Sequence, residues 1–119
     1  MEFEEQQAIY LQIAGWIEEQ ILTQKWQERI PAIRELAADL KVNPYTVART
    51  YAHLETRGII AIQRGVGYFV TQNARDQILE DRKKCFLTKT TPQFLKTMRL
   101  LNVSFDELKK MDDLRDTPV

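Results

Sequence analysis

The chain has 119 residues, enough for one hydrophobic core and a small appendage. Its residues are 44% hydrophobic and 29% charged, which is typical of a globular protein and excludes a disordered or membrane-spanning chain. The longest apolar run, Ile59–Ile62, is too short to span a bilayer, and the acidic start MEFEEQQ is unlike a signal peptide. The single cysteine cannot form an intrachain disulfide. We therefore expect a cytoplasmic protein without a membrane partner.

The formal net charge is zero, but the charges are unevenly distributed along the chain. Residues 1–28 carry six acids and one base, residues 29–72 carry six bases and three acids, and residues 73–119 carry ten bases and eight acids. A surface that binds nucleic acid needs local positive potential, whatever the charge of the whole protein. The middle segment is therefore the candidate for such a surface.

Apolar residues at helical spacing predict a first helix, roughly from residue 6 to residue 23. Glu18 and Glu19 are expected to face away from the core. The connector KWQERI leads to Pro31, which suits the first turn of a second helix, PAIRELAADL. The apolar face of the first helix is formed by Ile9, Ile13, Trp16, Ile17 and Ile21.

The turn KVN is short and leads directly to a third helix. Asn43 is a good N-cap, and Pro44 follows at the first helical position, where a missing N–H costs nothing and a fixed φ suits the helix. We expect this helix to end near Arg57, before a left-handed Gly58. Its predicted buried residues are Val47, Tyr51 and Leu54.

Beyond Gly58 the pattern changes from helical to strand-like. IIAIQ and YFVT predict two strands, and the turn RGVG joins them into a hairpin. Helix, helix, short turn, helix and hairpin is the order of a winged helix-turn-helix. The sequence thus predicts a mainly α fold with a small β-hairpin, with residues 1–72 forming a winged helix-turn-helix DNA-binding domain.

Residues 73–119 return to a helical pattern and predict about three short helices as a dimerisation tail. We expect Thr91 to be an N-cap before Pro92, and Ser104 to form a capping box with Glu107. The tail carries more apolar surface than it can bury alone, so it packs on the winged domain or on another copy. The candidate dimerisation residues are Phe86, Phe94, Leu95, Met98, Leu101, Phe105 and Leu108.

A helix-turn-helix reads DNA because its second helix fits the major groove, with the N-terminal residues facing base edges. The preceding helix contacts the phosphate backbone, and a wing can enter the minor groove or approach phosphates. The candidate DNA-binding residues are Asn43, Tyr45, Thr46 and Arg49 for bases, Arg34 for the backbone, and Arg64, Gly65 and Gly67 for the wing.

Each of these side chains also has a purely structural interpretation. Arg34 can be a solvated arginine beside Glu35 and Asp39. Tyr45 can pack against the first helix, and Arg49 can pair with an acid there. The two glycines serve the tight turn in any case. These alternatives stay open at the level of the sequence.

The segments IYLQIAGWIEEQI and RIPAIRELAADLKVNPYTVARTYAHLETRGIIAIQRGVGYFV resemble the DNA-binding domain of the GntR family of bacterial transcription regulators. The IxRELA, TV and LExxG blocks and the RGxGxFV wing occur in order. The resemblance implies a winged helix that binds a palindromic operator as a homodimer, and it adds Pro44 and Ala48 to the matching DNA-contact positions. Many members carry basic residues at these two positions, so base reading shifts towards Asn43, Tyr45 and Arg49.

The NPxTV sequence and the short helical tail resemble the YtrA-like branch of that family. The resemblance implies that the tail serves mainly in dimerisation and that the regulated genes are often those of transporters. The large ligand domain and the pyridoxal-phosphate domain of other branches do not fit into the 47 residues after Gln72. We expect a repressor with no cofactor, whose partners are operator DNA and a second copy. The alternative is a regulator whose affinity for DNA is changed by a small-molecule effector.

Two other classes of function compete with DNA binding. Winged helices also serve as protein-interaction modules, which the zero net charge and the proline at position 44 in place of an arginine favour. Arg34, Arg49 and the RGVG wing favour DNA more strongly. An enzyme is not expected, because His53, Cys85 and Ser104 lie on three different predicted elements. His53 is expected to be solvated and Cys85 to be a buried thiol. No Cys/His spacing suits zinc.

Overall fold

The computed structural model describes residues 1–3 and 6–114 of the chain. Its helices and strands are α1 (Ile9–Leu22), β1 (Arg29–Ile30), α2 (Ile33–Leu40), α3 (Pro44–Thr56), β2 (Ile60–Gln63), β3 (Gly67–Val70), α4 (Ala74–Cys85), a π-helical segment (Phe86–Thr90), α5 (Thr91–Leu101) and α6 (Phe105–Asp113). The strands form one antiparallel sheet in the order β1-β3-β2. No helix in this described part is long and apolar enough to cross a membrane.

The chain divides into two compact units, the first ending at Asp81 and the second beginning at Arg82. This division lies within α4, whereas the sequence places the boundary at Gln72. The start of α4 belongs to the first unit because Ala74 and Ile78 are completely buried in its core.

The core of the first unit forms where α1, α2 and α3 meet the sheet. Its composition confirms the predicted inner face of α3, since Val47, Tyr51 and Leu54 are completely buried. The prediction for α1 holds in its central and C-terminal turns. The buried residues of the predicted α1 face are Ile13, Ile17 and Ile21, whereas Trp16 is half-buried and Ile9 is 44% exposed.

Tyr51 connects α3 to two other elements. Its hydroxyl donates a hydrogen bond to the carbonyl of Pro31 at 2.6 Å, and its ring meets that of Tyr68 edge-on, with centroids 4.9 Å apart. Burial raises the pKa of Tyr51 well above its ordinary value, and the charges of Tyr68 and Glu35 raise it further. The hydroxyl therefore remains a donor, and α3 stays fixed to the segment that precedes α2.

Glu18 is buried, so the expectation that it faces away from the core is wrong. Its carboxylate accepts a hydrogen bond from the guanidinium of Arg57, which also donates to Asp81 at 2.9 Å. Burial lowers the pKa of Arg57, but the hydrogen bonds to Asp81 and Glu18 outweigh that effect and hold the pKa above its ordinary value. Arg57 thus connects the end of α3 to α1 and α4.

The turn between α2 and α3 has the predicted geometry. The side chain of Asn43 accepts a hydrogen bond from the backbone N–H of Tyr45 at 2.8 Å, and Pro44 is the first residue of α3. Pro44 therefore begins the helix, as expected from its fixed φ. At the other end, Gly58 has a φ of 75°, which confirms the left-handed position after α3.

The wing is the hairpin formed by β2 and β3, and its sheet contains a third strand, β1, that the sequence did not predict. The connector KWQERI contributes β1, in which Arg29 pairs with Phe69 and Ile30 with Tyr68 of β3. A two-residue strand is too short to show alternation, so only its partner strand reveals it. A guanidinium nitrogen (Nη2) of Arg29 also donates to the carbonyl of Val66 at 2.6 Å, which braces the tip of the hairpin.

The second unit is helical, with one correction to the prediction. Thr91 is not an N-cap, because Thr90 and Thr91 both have helical dihedrals and no capping hydrogen bond forms. Pro92 has no N–H to donate to the preceding turn, and the π-helical segment lies just before it. The capping box between Ser104 and Glu107 is confirmed.

We predict that Arg57→Met lowers the free energy of unfolding by about 2–3 kcal/mol, because a buried carboxylate loses its cation. Lys25→Met is the matched control, since it removes one positive charge from an exposed position of the same unit. We expect the control to change the free energy by less than about 0.5 kcal/mol. Urea unfolding measures both, and equal losses would contradict the role assigned to Arg57.

A second prediction concerns Gly67, whose φ is 144° and whose Cβ, if added, would lie 3.3 Å from Nε of Arg29. Gly67→Ala should cost about 1–3 kcal/mol, since it combines a strained backbone with crowding of Arg29. Gly65→Asn should cost less, because Gly65 has a left-handed φ of 76° that asparagine tolerates, and a Cβ added there would meet no atom within 4 Å. Urea unfolding of the two variants in the reverse order would refute this account.

Candidate nucleic-acid interface

The first turn of α3 presents a group of exposed side chains. Tyr45 is 85% exposed, which excludes the alternative that it packs against the first helix. Asn43, Pro44 and Arg49 are also exposed, and Thr46 is half-buried. Tyr45 and Arg49 lie one helical turn apart and therefore share a face. The structure thus brings the predicted base-reading residues together on one surface.

The opposite face of this part of α3 is held by buried contacts. Val47 and Thr50 are completely buried, and the hydroxyl of Thr50 lies 3.0 Å from the carbonyl oxygen of Thr46 and 2.9 Å from that of Tyr10 on α1. A reading helix must hold its side chains in a fixed orientation, because hydrogen bonds to base edges depend on geometry. These buried contacts give α3 that fixed orientation.

Arg49 does not pair with an acid on α1. Its guanidinium carbon lies 3.9 Å from the ring centroid of Tyr10, a cation–π contact. Among the described residues Arg49 forms no ion pair, and the cation near the end of α3 that meets an acid of α1 is Arg57. The hydrogen-bond donors of Arg49 are therefore free to meet another molecule.

The predicted backbone and wing residues border the same domain surface. Arg34 is exposed on α2, and in the described part of the chain it forms no ion pair with Glu35 or Asp39. Arg64 and Gly65 are exposed at the hairpin turn. An open cavity of about 290 Å³ lies between α2 and the wing, and Arg34 and Gly67 are among its lining residues. The structure therefore places Arg34 next to the wing.

Arg29 is a member of this surface that the sequence did not single out. It is exposed, lines the cavity with Arg34, and donates to the backbone of the wing. The only signal in the sequence was the basic balance of residues 29–72. Its contact with Val66, 37 residues away, depends on strand pairing that the sequence pattern did not show.

The three side chains considered for catalysis, His53, Cys85 and Ser104, lie in three separate environments. His53 is half-buried, with its ring edge-on to Tyr10 at 5.9 Å between centroids, so it is not simply solvated. Cys85 is exposed, which corrects the expectation of a buried thiol. Ser104 is held in its capping box. Within residues 1–3 and 6–114, no group of three or more His, Cys, Asp or Glu side chains is arranged to hold a metal ion.

The predicted dimerisation residues divide by exposure within the second unit. Met98 is buried, and Leu95 and Leu108 are half-buried. The other four are exposed, together with four apolar residues that the sequence did not select. The exposed set is Phe86, Phe94, Leu101 and Phe105 from the prediction, and Leu87, Leu100, Met111 and Leu114 in addition.

Comparison with known proteins agrees with this architecture. Residues 6–70 match the family of bacterial regulatory proteins described as the gntR family. The chain is 32% identical over 109 residues to the HTH-type transcriptional regulator YhcF of Bacillus subtilis, covering 90% of this chain and 88% of YhcF. It is 37% identical over 76 residues to the HTH-type transcriptional repressor YtrA of the same species, covering 62% of this chain and 58% of YtrA.

A solved structure extends the likeness over nearly the whole chain. A GntR family transcriptional regulator from Listeria monocytogenes superposes with a TM-score of 0.76 at 30% identity, covering 96% of this chain and 100% of that one. The matched family and its members are transcription regulators and not enzymes. The winged helix, the exposed first turn of α3 and these matches lead to one conclusion: the chain is a DNA-binding transcription regulator that belongs to the GntR family.

Proposed function

We propose that the protein is a repressor that binds a palindromic operator as a homodimer. The observation that carries the proposal is the exposed first turn of α3, where Tyr45 is 85% exposed and Arg49 has no ion-pair partner in the described chain. Exposed polar groups on a helix anchored by its opposite face are what major-groove reading requires.

The chemistry of each side chain limits what it can read. Arg49 offers two parallel donors, which suit O6 and N7 of guanine. Asn43 already accepts the N-cap hydrogen bond through its side-chain oxygen, so its two amide N–H donors are its unused groups and suit a base or phosphate oxygen. Pro44 offers no donor and suits apolar contact, such as that with a thymine methyl group. Tyr45 and Thr46 bring hydroxyls, which bond to bases or phosphates.

The remaining cationic residues are assigned to the sugar–phosphate backbone and the minor groove. Arg34 lies on α2, the helix that crosses the backbone in a helix-turn-helix. Arg64 stands at the wing turn, and Gly65 and Gly67 allow the hairpin backbone to approach phosphates closely. Such contacts fix the position of the protein without selecting a base sequence.

Homodimerisation is assigned to the second unit. Its short helices leave many large apolar side chains exposed, among them Leu101 at 67% and Phe105 at 69%. A second copy covers such surface, and a two-fold dimer presents two reading helices to a palindrome. The name of the relative YtrA supports repression, and the YtrA-like resemblance extends the proposal to transporter genes in a bacterial cytoplasm.

The rival function is a winged helix that binds protein instead of DNA. Such a module would have its reading face occupied or its cations neutralised. The exposure of Tyr45 and the absence of an ion pair at Arg49 within the described chain favour DNA. The salt dependence of binding separates the two functions, because only DNA releases a condensed layer of counterions.

We predict that the protein shifts its own promoter DNA in a gel and that affinity falls steeply as salt rises. Arg49→Ala should weaken this binding by about fivefold to 150-fold, since a bidentate arginine–base pair is worth about 1–3 kcal/mol. Lys25→Ala, an exposed cation outside the helix-turn-helix and the wing, should have little effect. A folded dimer that ignores promoter DNA at low salt, or an Arg49→Ala variant with full affinity, would refute the assignment.

A further prediction concerns the tail. Replacing Leu101 and Phe105 together by serine should raise the dimer dissociation constant at least about tenfold, because two large apolar side chains lose their burial in the dimer. Sizing chromatography over a concentration series measures the change. The control is Lys109→Ser, an exposed position on α6. If the double variant elutes as a dimer at every concentration, dimerisation does not depend on this surface.

A further inference from the structure

We infer that Tyr10, on α1, is a positioning residue for DNA recognition: its ring holds the guanidinium of Arg49 in the orientation that reads the operator. The inference rests on the proposed role of Arg49 as a base reader. It extends the reading surface to α1, a helix that lies outside the helix-turn-helix.

The contact leaves Arg49 able to bind while restricting its movement. The guanidinium carbon lies over the Tyr10 ring at 3.9 Å from the centroid. A cation–π contact engages the charge of the guanidinium and accepts no conventional hydrogen bond from it, so the N–H donors remain available. No residue in the described part of the chain accepts a hydrogen bond from these donors. The arginine is therefore held in place with its recognition edge free.

Tyr10 is itself held by α3, the helix that carries Arg49. The hydroxyl of Thr50 donates to the backbone carbonyl of Tyr10 at 2.9 Å, which fixes the main chain of α1. The ring of His53 meets the Tyr10 ring edge-on, at 5.9 Å and 81°. Arg49, Thr50 and His53 thus contact the same residue of α1 from neighbouring positions of α3. Tyr10 is therefore held through its backbone by Thr50 and at its ring by His53, and not by the arginine alone.

The start of α1 also borders the first turn of α3 directly. An open cavity of about 360 Å³ is lined by Ala8, Ile9 and Tyr10 on one side and by Tyr45, Thr46 and Arg49 on the other. A free arginine side chain loses rotamer freedom when it binds, and this loss of entropy weakens binding. A ring that already restricts Arg49 removes part of this cost, so Tyr10 raises affinity without contacting DNA.

The test is a double-mutant cycle on operator binding with Tyr10→Leu and Arg49→Ala. Tyr10→Leu should weaken binding about three- to tenfold when Arg49 is present. It should have no further effect in the Arg49→Ala background, because the ring acts only through that side chain. Tyr10→Phe is the matched control, since it keeps the stacking face, and should bind within about twofold of the unchanged protein.

A second readout separates positioning from simple support of the fold. Operators with single base-pair changes should show that Tyr10→Leu relaxes preference at the same base pair as Arg49→Ala and at no other. Thermal unfolding of each variant accompanies the binding data. Should Tyr10→Leu unfold at a clearly lower temperature, Tyr10→Met, with its flexible side chain, takes its place in the cycle.

The outcomes separate the two proposals. If Tyr10→Leu weakens binding equally with and without Arg49, or at every base pair alike, Tyr10 supports the fold and the inference is overturned while Arg49 remains the reader. If Arg49→Ala itself binds with full affinity and unchanged preference, the reading role of Arg49 fails and the inference about Tyr10 fails with it.

Discussion

Helix α3 carries Val47, Tyr51 and Leu54 into the core, and this burial of one face determines what the opposite face can do. Because the three side chains are completely buried, α3 cannot rotate without exposing them. Tyr51 adds a hydrogen bond to the segment before α2 and a ring contact to the wing. Contacts of α3 therefore position its own exposed first turn, α2 and the wing. Recognition of DNA requires this rigidity, because base reading depends on the placement of a few side chains.

The arginines of the first unit show how one residue type takes different roles by location. Arg57 is partly buried and hydrogen-bonded to Glu18 and Asp81, so it connects helices. Arg29 braces the wing through the carbonyl of Val66. Arg49 lies over the ring of Tyr10 and donates no hydrogen bond to a described residue, and Arg34 is exposed on α2. A net charge of zero therefore says little about DNA binding, since it sums residues with unrelated roles.

Several features of the fold were accessible from the sequence because they depend on neighbours along the chain. The N-cap at Asn43, the proline at the start of α3, the left-handed Gly58 and the capping box at Ser104 are all set by local backbone geometry. The predictions that failed for α1 and the wing concern partners distant in sequence. Glu18 is buried because a cation arrives from the end of α3, and β1 exists because β3 lies beside it.

The sequence by itself determined the order of helices and strands of a winged helix, the polar first turn of α3 and the resemblance to the GntR family. Periodicity, capping and turn chemistry depend only on residues that are close together along the chain. The tertiary structure alone decided which of those side chains are exposed and which contact other residues. It exposed Tyr45, placed the Arg49 guanidinium over the Tyr10 ring, and added Arg29 to the wing. Such outcomes depend on which surfaces meet when helices pack, and the spacing of residues along one helix does not contain that information.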